Sequence, residues 1–457
     1  MEWLSLVLFA LVFIVLLTGF PVAFTLAGVS LLFALVANLF GIFDMSFLQS
    51  VPNRIFGIMS NVNLIAVPLF VFMGIMLEQS KIAESLLQTM EEVMRGIKGG
   101  LGIEVIIVGA LLAASTGIVG ATVVTMGLLA LPTMLKQGYC PKIASGTICA
   151  SGTLGQIIPP SIVLILLGDV LSSSYQQAQL NQGIFSPKTL SVGDLFVGAL
   201  LPGLLLVVAY MGFIVFKAFK NPELIPSHIG EPVAPGLAKR VIGSLLPPLI
   251  LILLVLGSIL GGFATPTEAA SLGALGAILL ALANRKLSLA TLKIVMQNTL
   301  QVTSMIFLIF IGAAFFSLVF RGLGGDDLIT NLLTDLPGGV FTAMLIVMLL
   351  MFVLGFFLDF IEITYVVVPV VAPILLMMGV DPIWLGIMIA INLQTAFLTP
   401  PFGFALFYLR GVAPPELKTI DIYKGTIPFI LIQLSMLGVL AIWPDIVTWL
   451  PNLVYTE

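Results

Sequence analysis

The stretch SGTLGQIIPPS at residues 151–161 decides the fold when it is compared with NLQTAFLTPPFG at residues 392–403. In each stretch a Pro-Pro pair interrupts an apolar run that is long enough to cross a membrane. Proline removes a backbone donor and clashes with the preceding helical turn, which frees carbonyl groups upstream. At membrane depth such carbonyls are tolerated only where they are buried in protein or line a wet cavity. The two stretches therefore predict two interrupted membrane helices.

The composition limits the class of protein. Of 457 residues, 60% are hydrophobic and 9% are charged, against about 25% charged in an average soluble domain. Such a chain has more apolar surface than a soluble fold can bury. The 18 Lys and Arg against 22 Asp and Glu provide no basic surface for nucleic acid. Cys140 and Cys149 form no metal or disulfide pattern, and the single His228 lies in a polar loop. We expect a polytopic α-helical protein in the lipid bilayer, not an enzyme.

Apolar runs of about 20 residues predict membrane spans. Two further apolar stretches, 101–135 and 338–379, are too long for one crossing, and each is interrupted near its middle by small or polar residues. We interpret both as re-entrant helical hairpins that enter and leave on the same side. The first span lacks the basic flank of a signal peptide, so we expect it to be retained. The ten full spans are predicted near 4–18, 22–40, 63–79, 142–170, 194–219, 241–260, 267–283, 297–320, 382–409 and 425–443.

The distribution of basic residues predicts the orientation. Cytoplasmic loops of membrane proteins collect Lys and Arg. With both termini on the periplasmic side of an inner membrane, all of the 18 basic residues except Arg54, Lys188 and Arg321 lie on the cytoplasmic side. Interpreting either hairpin as a single crossing would invert every later loop and remove this asymmetry.

The chain contains an internal repeat. A shift of 241 residues aligns a series of helix-breaking positions without gaps. Each half has five full spans, an odd number, so the second half must be inverted relative to the first. Inverted repeats with helices broken at corresponding places are typical of secondary transporters with a site near the midplane. The aligned positions are Pro132 with Pro373, Gly138 with Gly379, Pro141 with Pro382, and Pro159-Pro160 with Pro400-Pro401.

The interruptions also carry the candidate chemistry. Freed carbonyls and hydroxyls suit Na+, a hard cation, and helix N-termini suit an anion. The hairpin tips are AASTGIVGAT at 113–122 and GFFLDFIEIT at 355–364. In the second, Asp359 and Glu362 are intramembrane carboxylates, which are functional by default. They could ligate a cation, carry a proton or bond a substrate hydroxyl; the alternative for Glu362 is a tip residue exposed to water. Glu268 is expected to cap the helix that begins after Pro266.

These residues make the chain resemble the large membrane subunit of a tripartite ATP-independent periplasmic (TRAP) transporter, the DctM-like family, over essentially all of its length. The insertion at 171–191 resembles the subgroup often labelled as carrying mannitol or chloroaromatic compounds. The motifs that carry the resemblance are NLIAVPLFVFMG at 63–74, LGQIIPPS at 154–161, GGFATPTEAA at 261–270, GFFLD at 355–359 and LTPPFG at 398–403.

The resemblance implies an elevator mechanism on the fold of the ion-transporter superfamily. It also implies Na+ coupling at two sites, a small four-span membrane subunit as partner, and a soluble periplasmic protein that delivers a small organic acid. The implied scaffold comprises 1–80 and 241–322, and the implied transport domain comprises 99–220 and 338–457. Amphipathic arms at 81–98 and 323–337 would link them, and 221–240 would be a cytoplasmic loop.

The resemblance also assigns roles to residues at the tips and breaks. The first Na+ site would use Thr116, Val119, Gly155, Ile158 and Pro159, mostly through carbonyls. The second would use Gly355, Ala396, Thr399 and Phe402, with Glu362 as an additional candidate for coupling. Substrate would bind between them, near Ser115, Ser151, Thr153, Asp359, Asn392 and Thr395.

Other functions stay open at this point. One is a carrier of the same fold that works alone on free dicarboxylate with Na+ or H+ coupling. Another is a membrane-embedded enzyme that uses Asp359 and Glu362 as paired carboxylates, and a third is a channel. The broken helices in two hairpins favour alternating access over a channel, and the midplane shows no nucleophile for an enzyme.

Overall fold

The computed structural model describes residues 3–226 and 236–455, and all regular structure within these ranges is helical. The all-α polytopic prediction is confirmed. His228 and much of the predicted loop 221–240 lie outside the described residues. The first half contains α1 Trp3–Leu17, α2 Val22–Leu39, α3 Val51–Ser60, α4 Ala66–Gln79, α5 Ile82–Val93, α6 Gly100–Thr116, α7 Val119–Lys136, α8 Pro141–Thr153, α9 Ile162–Asn181 and α10 Val192–Lys220.

The second half repeats this order. Helices α16 and α18 begin 241 residues after α7 and α8, at the positions that the sequence repeat predicts. The bent pair of α3 and α4 corresponds to the continuous α13. The helices are α11 Leu237–Leu260, α12 Pro266–Ala283, α13 Leu289–Gly322, α14 Gly325–Thr334, α15 Gly339–Leu354, α16 Phe360–Val366, α17 Val368–Met377, α18 Pro382–Leu398, α19 Phe404–Val412, α20 Thr419–Ile442 and α21 Asp445–Tyr455.

Seven helices in the described ranges are individually long and apolar enough to cross a membrane, or up to nine if two bent pairs each count as one span. The predicted spans at 4–18, 142–170 and 382–409 are not among them. Helix α1 has only 15 residues, and each of the other two is divided into two helices at its Pro-Pro pair. One of the seven is α7, which belongs to a stretch predicted to be a re-entrant hairpin. In both divided spans, the peptide bond between the two prolines is cis. The sequence-predicted interruptions are therefore present in both halves.

The first re-entrant stretch is two helices that contact each other, α6 and α7. They are separated by Gly117, whose φ is +62°, and by Ile118. Glycine adopts this left-handed conformation at little steric cost, which allows the chain to reverse. The predicted break at Ser115-Thr116-Gly117 is confirmed to within one residue.

The second hairpin breaks slightly earlier than the sequence suggested. Helix α15 ends at Leu354, and α16 begins at Phe360 with Asp359 as its N-cap. The three-residue spacing of Asp359 and Glu362 would place both on one face of a helix only if the helix continued through them, and it does not, because Asp359 is the N-cap. Helix α16 then bends by 57° into α17.

Helix contacts form two groups. Helices α2 and α13, α4 and α12, and α4 and α13 pack together, whereas α8 packs against α6, α7 and α20. The groups meet where α4 contacts α6 and where α13 contacts α16. The amphipathic stretches are helices, α5 and α14, and each contacts both groups. The division into a scaffold and a transport domain stays a prediction.

Several elements were missed or misjudged at their ends. Helices α3 and α21 were not predicted, since both are short and carry polar residues among apolar ones. Helix α9 continues to Asn181 rather than residue 170, and thus into the insertion. Helix α13 begins at Leu289, eight residues before the predicted span, because Ser288 caps its N-terminus.

Candidate functional site

The first hairpin tip lies directly against the first broken span. A Cβ atom added to Gly155 would be 3.2 Å from the Ala113 carbonyl oxygen, and one added to Gly117 would be 3.2 Å from the Ile162 nitrogen. A Cβ atom at either position would push its neighbour by a few tenths of an ångström, and at Gly117, where φ is +62°, it would also strain the backbone. The tip therefore touches the chain on both sides of the break, and the fold brings together the two elements that carry Thr116, Val119, Gly155, Ile158 and Pro159.

The hydroxyl groups of this tip are buried and already engaged. Thr116 Oγ1 lies 3.0 Å from Thr122 Oγ1, and Ser115 Oγ donates to the Leu112 carbonyl at 2.8 Å. A hydroxyl oxygen that donates one hydrogen bond still has lone pairs to offer. Thr122 therefore supports the orientation of Thr116.

The second tip meets the second break in the same way. A Cβ atom added to Gly355 would be 2.7 Å from Ala396 Cβ, so α15 ends against α18. The Phe402 ring lies 5.2 Å from the Phe357 ring at the tip. Thr399 ends α18, and its Oγ1 donates to the Thr395 carbonyl at 2.7 Å. The candidate residues of the second site thus also lie on elements in contact.

Several backbone carbonyls at the breaks have no donor. Within the described part of the chain, the carbonyl oxygens of Ile158, Pro159, Gly355 and Phe402 accept no hydrogen bond. Pro159 and Gly355 are buried and Ile158 is half-buried, whereas Phe402 is 43% exposed. Buried carbonyls are normally paired, so unpaired ones at a helix interruption are available to a ligand. The carbonyls of Ala396 and Thr399 are already paired, with the nitrogens of Thr399 and Gly403. Oxygen ligands of this kind fit a hard cation such as Na+. The described residues contain no group of three His, Cys, Asp or Glu side chains.

The two broken spans meet at the centre of the repeat. Gln394 Nε2 donates to Thr153 Oγ1 at 3.4 Å, and these two residues are 241 positions apart. Residues related by a twofold axis can touch only where that axis passes between them. The pseudo-twofold axis of the repeat therefore runs between Thr153 and Gln394, at the ends of α8 and α18.

Three other proposed substrate residues, Ser151, Asn392 and Thr395, lie on α8 and α18, the helices that carry Thr153 and Gln394, whereas Ser115 and Asp359 lie at the hairpin tips. Ser151 and Asn392 are equivalent in the repeat and both are buried. Ser151 Oγ donates to the Ile148 carbonyl at 3.0 Å, and Asn392 Nδ2 donates to the Met348 carbonyl at 2.8 Å. Thr395 Oγ1 donates to the Ile391 carbonyl at 2.7 Å. All of these groups are oriented by backbone contacts rather than by one another.

Asp359 and Glu362 form a capping box at the start of α16. Asp359 Oδ1 accepts from the Phe360 nitrogen at 2.7 Å, and Glu362 Oε2 accepts from the Asp359 nitrogen at 3.0 Å. Glu362 is only 6% exposed, so the alternative of a water-exposed tip residue is wrong. It faces a narrow apolar cleft lined by Phe9 and Phe13 of α1. The expected cap at Glu268 is confirmed by the same motif, with Thr265 as N-cap.

Two glutamines belong to the site that sequence reasoning missed. Gln156 lies in the first break, is fully buried, and neither of its side-chain polar atoms has a hydrogen-bond partner. Gln394 Oε1 is likewise buried and unpaired. Such orphaned groups require an explanation, and a bound ligand is one. Both glutamines lie in the stretches 151–161 and 392–403. A polar side chain within an apolar run is the signal that could have identified them.

Residues 9–446 match the family model described as "Tripartite ATP-independent periplasmic transporter, DctM component". The chain is 29% identical to the C4-dicarboxylate TRAP transporter large permease protein DctM of Vibrio cholerae, over 98% of this chain and 97% of that protein. It is 27% identical to the sialic acid TRAP transporter large permease protein SiaM of the same organism, over 96% of each chain.

A solved structure has a similar fold. It is the YdaH transporter of Alcanivorax borkumensis, which is 15% identical and gives a TM-score of 0.59. The match covers 88% of this chain and 87% of the other. At this level of identity the likeness concerns the fold alone.

Proposed function

This chain belongs to the DctM component family of tripartite ATP-independent periplasmic transporters, and we propose that it moves a small organic acid across the inner membrane, driven by Na+. It is a transporter permease and not an enzyme. Relatives are named for C4-dicarboxylates and for sialic acid, which are organic acids. The substrate class is inferred from those names and from the site's polarity.

The observation that carries Na+ coupling is the set of unpaired carbonyls at the two symmetric breaks. Ile158 and Pro159 at one break, and Gly355 and Phe402 at the other, offer oxygens with no donor. None of the 18 Lys and Arg residues lies on a hairpin tip or in a break. An anionic substrate would therefore be neutralised by co-bound cations and by helix N-termini. A bound Na+ would supply that positive charge.

The substrate would bind between the two ion sites, around the pseudo-twofold axis. Ser151, Thr153, Asn392 and Thr395 lie on α8 and α18, the helices that meet at this axis, and are buried. Gln156 and Gln394 add amide groups that need a partner. A small acid with carboxylate and hydroxyl groups would supply acceptors to the amide donors and donors to the amide oxygens.

Two partners are part of the proposal. The family description names a tripartite periplasmic transporter, and the relatives are named large permease proteins. The match to an isethionate relative, named permease protein DctMQ, covers 96% of this chain but only 65% of that protein. That relative therefore has additional sequence outside the part that matches this chain. We infer a small four-span membrane subunit and a soluble periplasmic binding protein that delivers the substrate.

The orientation of the chain in the inner membrane is also proposed from charge. Both termini would be periplasmic, with Lys188 outside and Arg285 inside. Single cysteines placed at 188 and 285, in a chain without Cys140 and Cys149, would test this with a membrane-impermeant maleimide. Labelling of intact cells at 188 alone is expected, and labelling at 285 alone would contradict it.

The deciding experiment is uptake into proteoliposomes that contain this chain with the small subunit encoded beside it. An inward Na+ gradient is imposed on a panel of small organic acids, with and without the neighbouring binding protein. Uptake that needs both Na+ and the binding protein supports the proposal and identifies the substrate. Uptake with Na+ alone favours a carrier that works by itself, and uptake indifferent to Na+ removes the coupling.

A further inference from the structure

We propose that a cavity of about 470 Å³, outside the hairpin tips, is a binding site for a small carboxylate. It is walled by α3 and α13 on one side and by α9, α16 and α17 on the other. None of the candidate Na+ or substrate residues lines it. In transport, the cavity would serve as the vestibule through which substrate enters. That role rests on the proposed transport function, whereas carboxylate binding does not.

Two guanidinium groups converge on this cavity. Arg54 of α3 and Arg321 of α13 both line it and lie within electrostatic range of each other. They are two of the three basic residues that the charge distribution places outside, so this cavity holds most of the positive charge of that face. The Asp326 carboxylate acts on both guanidinium groups and pairs with Arg321. The two arginines with this one carboxylate still carry a net positive charge, which a bound anion would neutralise.

The two arginines are not fully used within the protein. In the described ranges, Arg54 makes one hydrogen bond, from Nη1 to Ser317 Oγ at 3.3 Å, and no ion pair. Arg321 pairs through Nε with Asp326 at 3.2 Å and donates from Nη2 to Gln177 at 3.4 Å. A guanidinium has five N–H donors in a fork that matches a carboxylate. The half-buried Arg54 therefore has donors left for a ligand.

The far side of the cavity is suited to a hydroxyl or a second polar group. Asp169 accepts from Asn61 Nδ2 at 2.8 Å and lies 3.5 Å from Tyr365 Oη. The Tyr365 ring stacks on Phe310 at 4.0 Å between centroids, which forms an apolar wall. Ser174 and Gln177 come from the insertion at 171–191. A small acid would place its carboxylate at the arginines and its other end near Asp169.

The position of the cavity suggests when it would be used. Helices α3 and α13 belong to the predicted scaffold, and α9, α16 and α17 to the predicted transport domain. Tyr365 lies only three residues after Glu362, which caps the second hairpin tip. A carboxylate released on the outer face would therefore contact the arginines before it reached the tips.

The test is equilibrium dialysis of the purified full chain with radiolabelled succinate and lactate, in the absence of Na+. Arg54→Gln is expected to weaken binding about tenfold or more, because a bidentate charge-assisted contact is lost. Arg54→Lys, which keeps the charge but not the fork, should give an intermediate loss. Lys188→Gln is the matched control, since it removes a charge from the same predicted face outside the cavity, and it should bind as the native chain does.

A second variant protects the test against misfolding of Arg54→Gln. Gly57 lines the cavity, and a Cβ atom there would meet no atom within 4 Å. Gly57→Phe should fill the space and abolish binding while leaving both arginines in place. The proposal is overturned if neither acid binds saturably, if both variants bind normally, or if chloride displaces the acids at equal concentration.

Transport measurements separate this proposal from the previous one. One outcome is that the native chain binds the acids, that Arg54→Gln weakens this binding, and that no Na+-driven uptake occurs. This outcome would support the cavity as a carboxylate site and overturn the proposed transport function. Na+-driven uptake with binding that Arg54→Gln does not alter would overturn the cavity alone.

Discussion

At the residue scale, the interruptions combine glycine contacts with oxygens that have no donor. Gly155 and Gly355 stand at positions where a side chain would collide with a neighbouring helix, and the unpaired carbonyls lie beside them. Thr399 is the candidate at the second break that offers a side-chain oxygen. Its backbone carbonyl already accepts from the Gly403 nitrogen at 3.0 Å.

Thr399→Ala tests the second ion site. Removing one oxygen ligand should raise the Na+ concentration needed for half-maximal uptake by about tenfold, which corresponds to about 1.4 kcal/mol. The measurement is the Na+ dependence of initial uptake rates at equal protein abundance. Thr426→Ala is the matched control, because Thr426 Oγ1 also bonds a carbonyl one turn earlier, that of Tyr423, away from the breaks. An unchanged Na+ dependence would remove the Thr399 hydroxyl from the site.

The capping boxes at Glu268 and Glu362 provide a stability prediction. Glu362 is buried, whereas Glu268 caps α12 in the same way at an exposed position. Glu268→Ala should cost about 0.3–1.5 kcal/mol, the usual range for one helix-capping contact. Glu362→Ala should cost about 1–3 kcal/mol, because it leaves a buried backbone N–H unpaired. Thermal unfolding in detergent should therefore show the larger decrease for Glu362→Ala.

Glu362→Gln separates the cap from the charge. Glutamine also completes a capping box, so this variant should unfold close to the native temperature. Normal uptake by Glu362→Gln would assign Glu362 to the cap alone, and lost uptake in a stable protein would support a coupling role. Equal destabilisation by Gln and Ala would show that the cap contributes little.

At the element scale, the first hairpin tip depends on one glycine of a neighbouring helix. A Cβ atom on Gly74 of α4 would be 2.7 Å from Thr116 Cα and 3.0 Å from the Thr116 carbonyl oxygen. These are backbone atoms, which cannot move aside as a flexible side chain can. The contact between the two helix groups is therefore as close as the backbones allow.

Gly74→Ala is expected to displace the tip. Forcing a methyl group into a packed contact typically costs about 1–3 kcal/mol. We expect a lower unfolding temperature and weaker Na+ activation, since Thr116 must shift. Gly28→Ala of α2 is the control, because a Cβ there meets nothing within 4 Å and alanine favours the helix. If both variants unfold alike, the Gly74 contact is not as close as described.

At the scale of the whole molecule, the repeat places the two breaks around one axis and both tips against the opposite helix group. The second tip touches α1 through the Phe13 and Phe357 rings, whose centroids are 5.6 Å apart. An elevator mechanism requires these groups to slide past each other, so contacts of this kind must break during each cycle.

Cross-linking tests that movement. Cysteines at 13 and 357, joined by a short bis-methanethiosulfonate reagent in a chain without Cys140 and Cys149, should stop uptake until the link is reduced. Cysteines at 9 and 316 are the matched control, because Phe9 and Phe316 are 6.2 Å apart within the predicted scaffold. Unimpaired uptake in the cross-linked 13–357 protein would contradict relative movement at this contact.

The sequence by itself determined the membrane class, the repeat, the interruptions and the cap at Glu268. These depend on local chemistry: apolar runs seek lipid, Pro-Pro pairs stop helices, and a carboxylate three residues after an N-cap bonds the backbone. The same local rule applied at Asp359 and Glu362, but it was overlooked there because two carboxylates in an apolar run suggested ion chemistry first.

Only the tertiary structure decided which groups meet. Thr153 and Gln394, or Gly74 and Thr116, are far apart in the chain, and their contact depends on how helices pack. The same holds for Arg54 and Arg321, which line one cavity, whereas the sequence predicts only that both lie on the same side of the membrane. Burial and unpaired carbonyls are likewise properties of the packed molecule, since each depends on neighbours that local sequence does not specify.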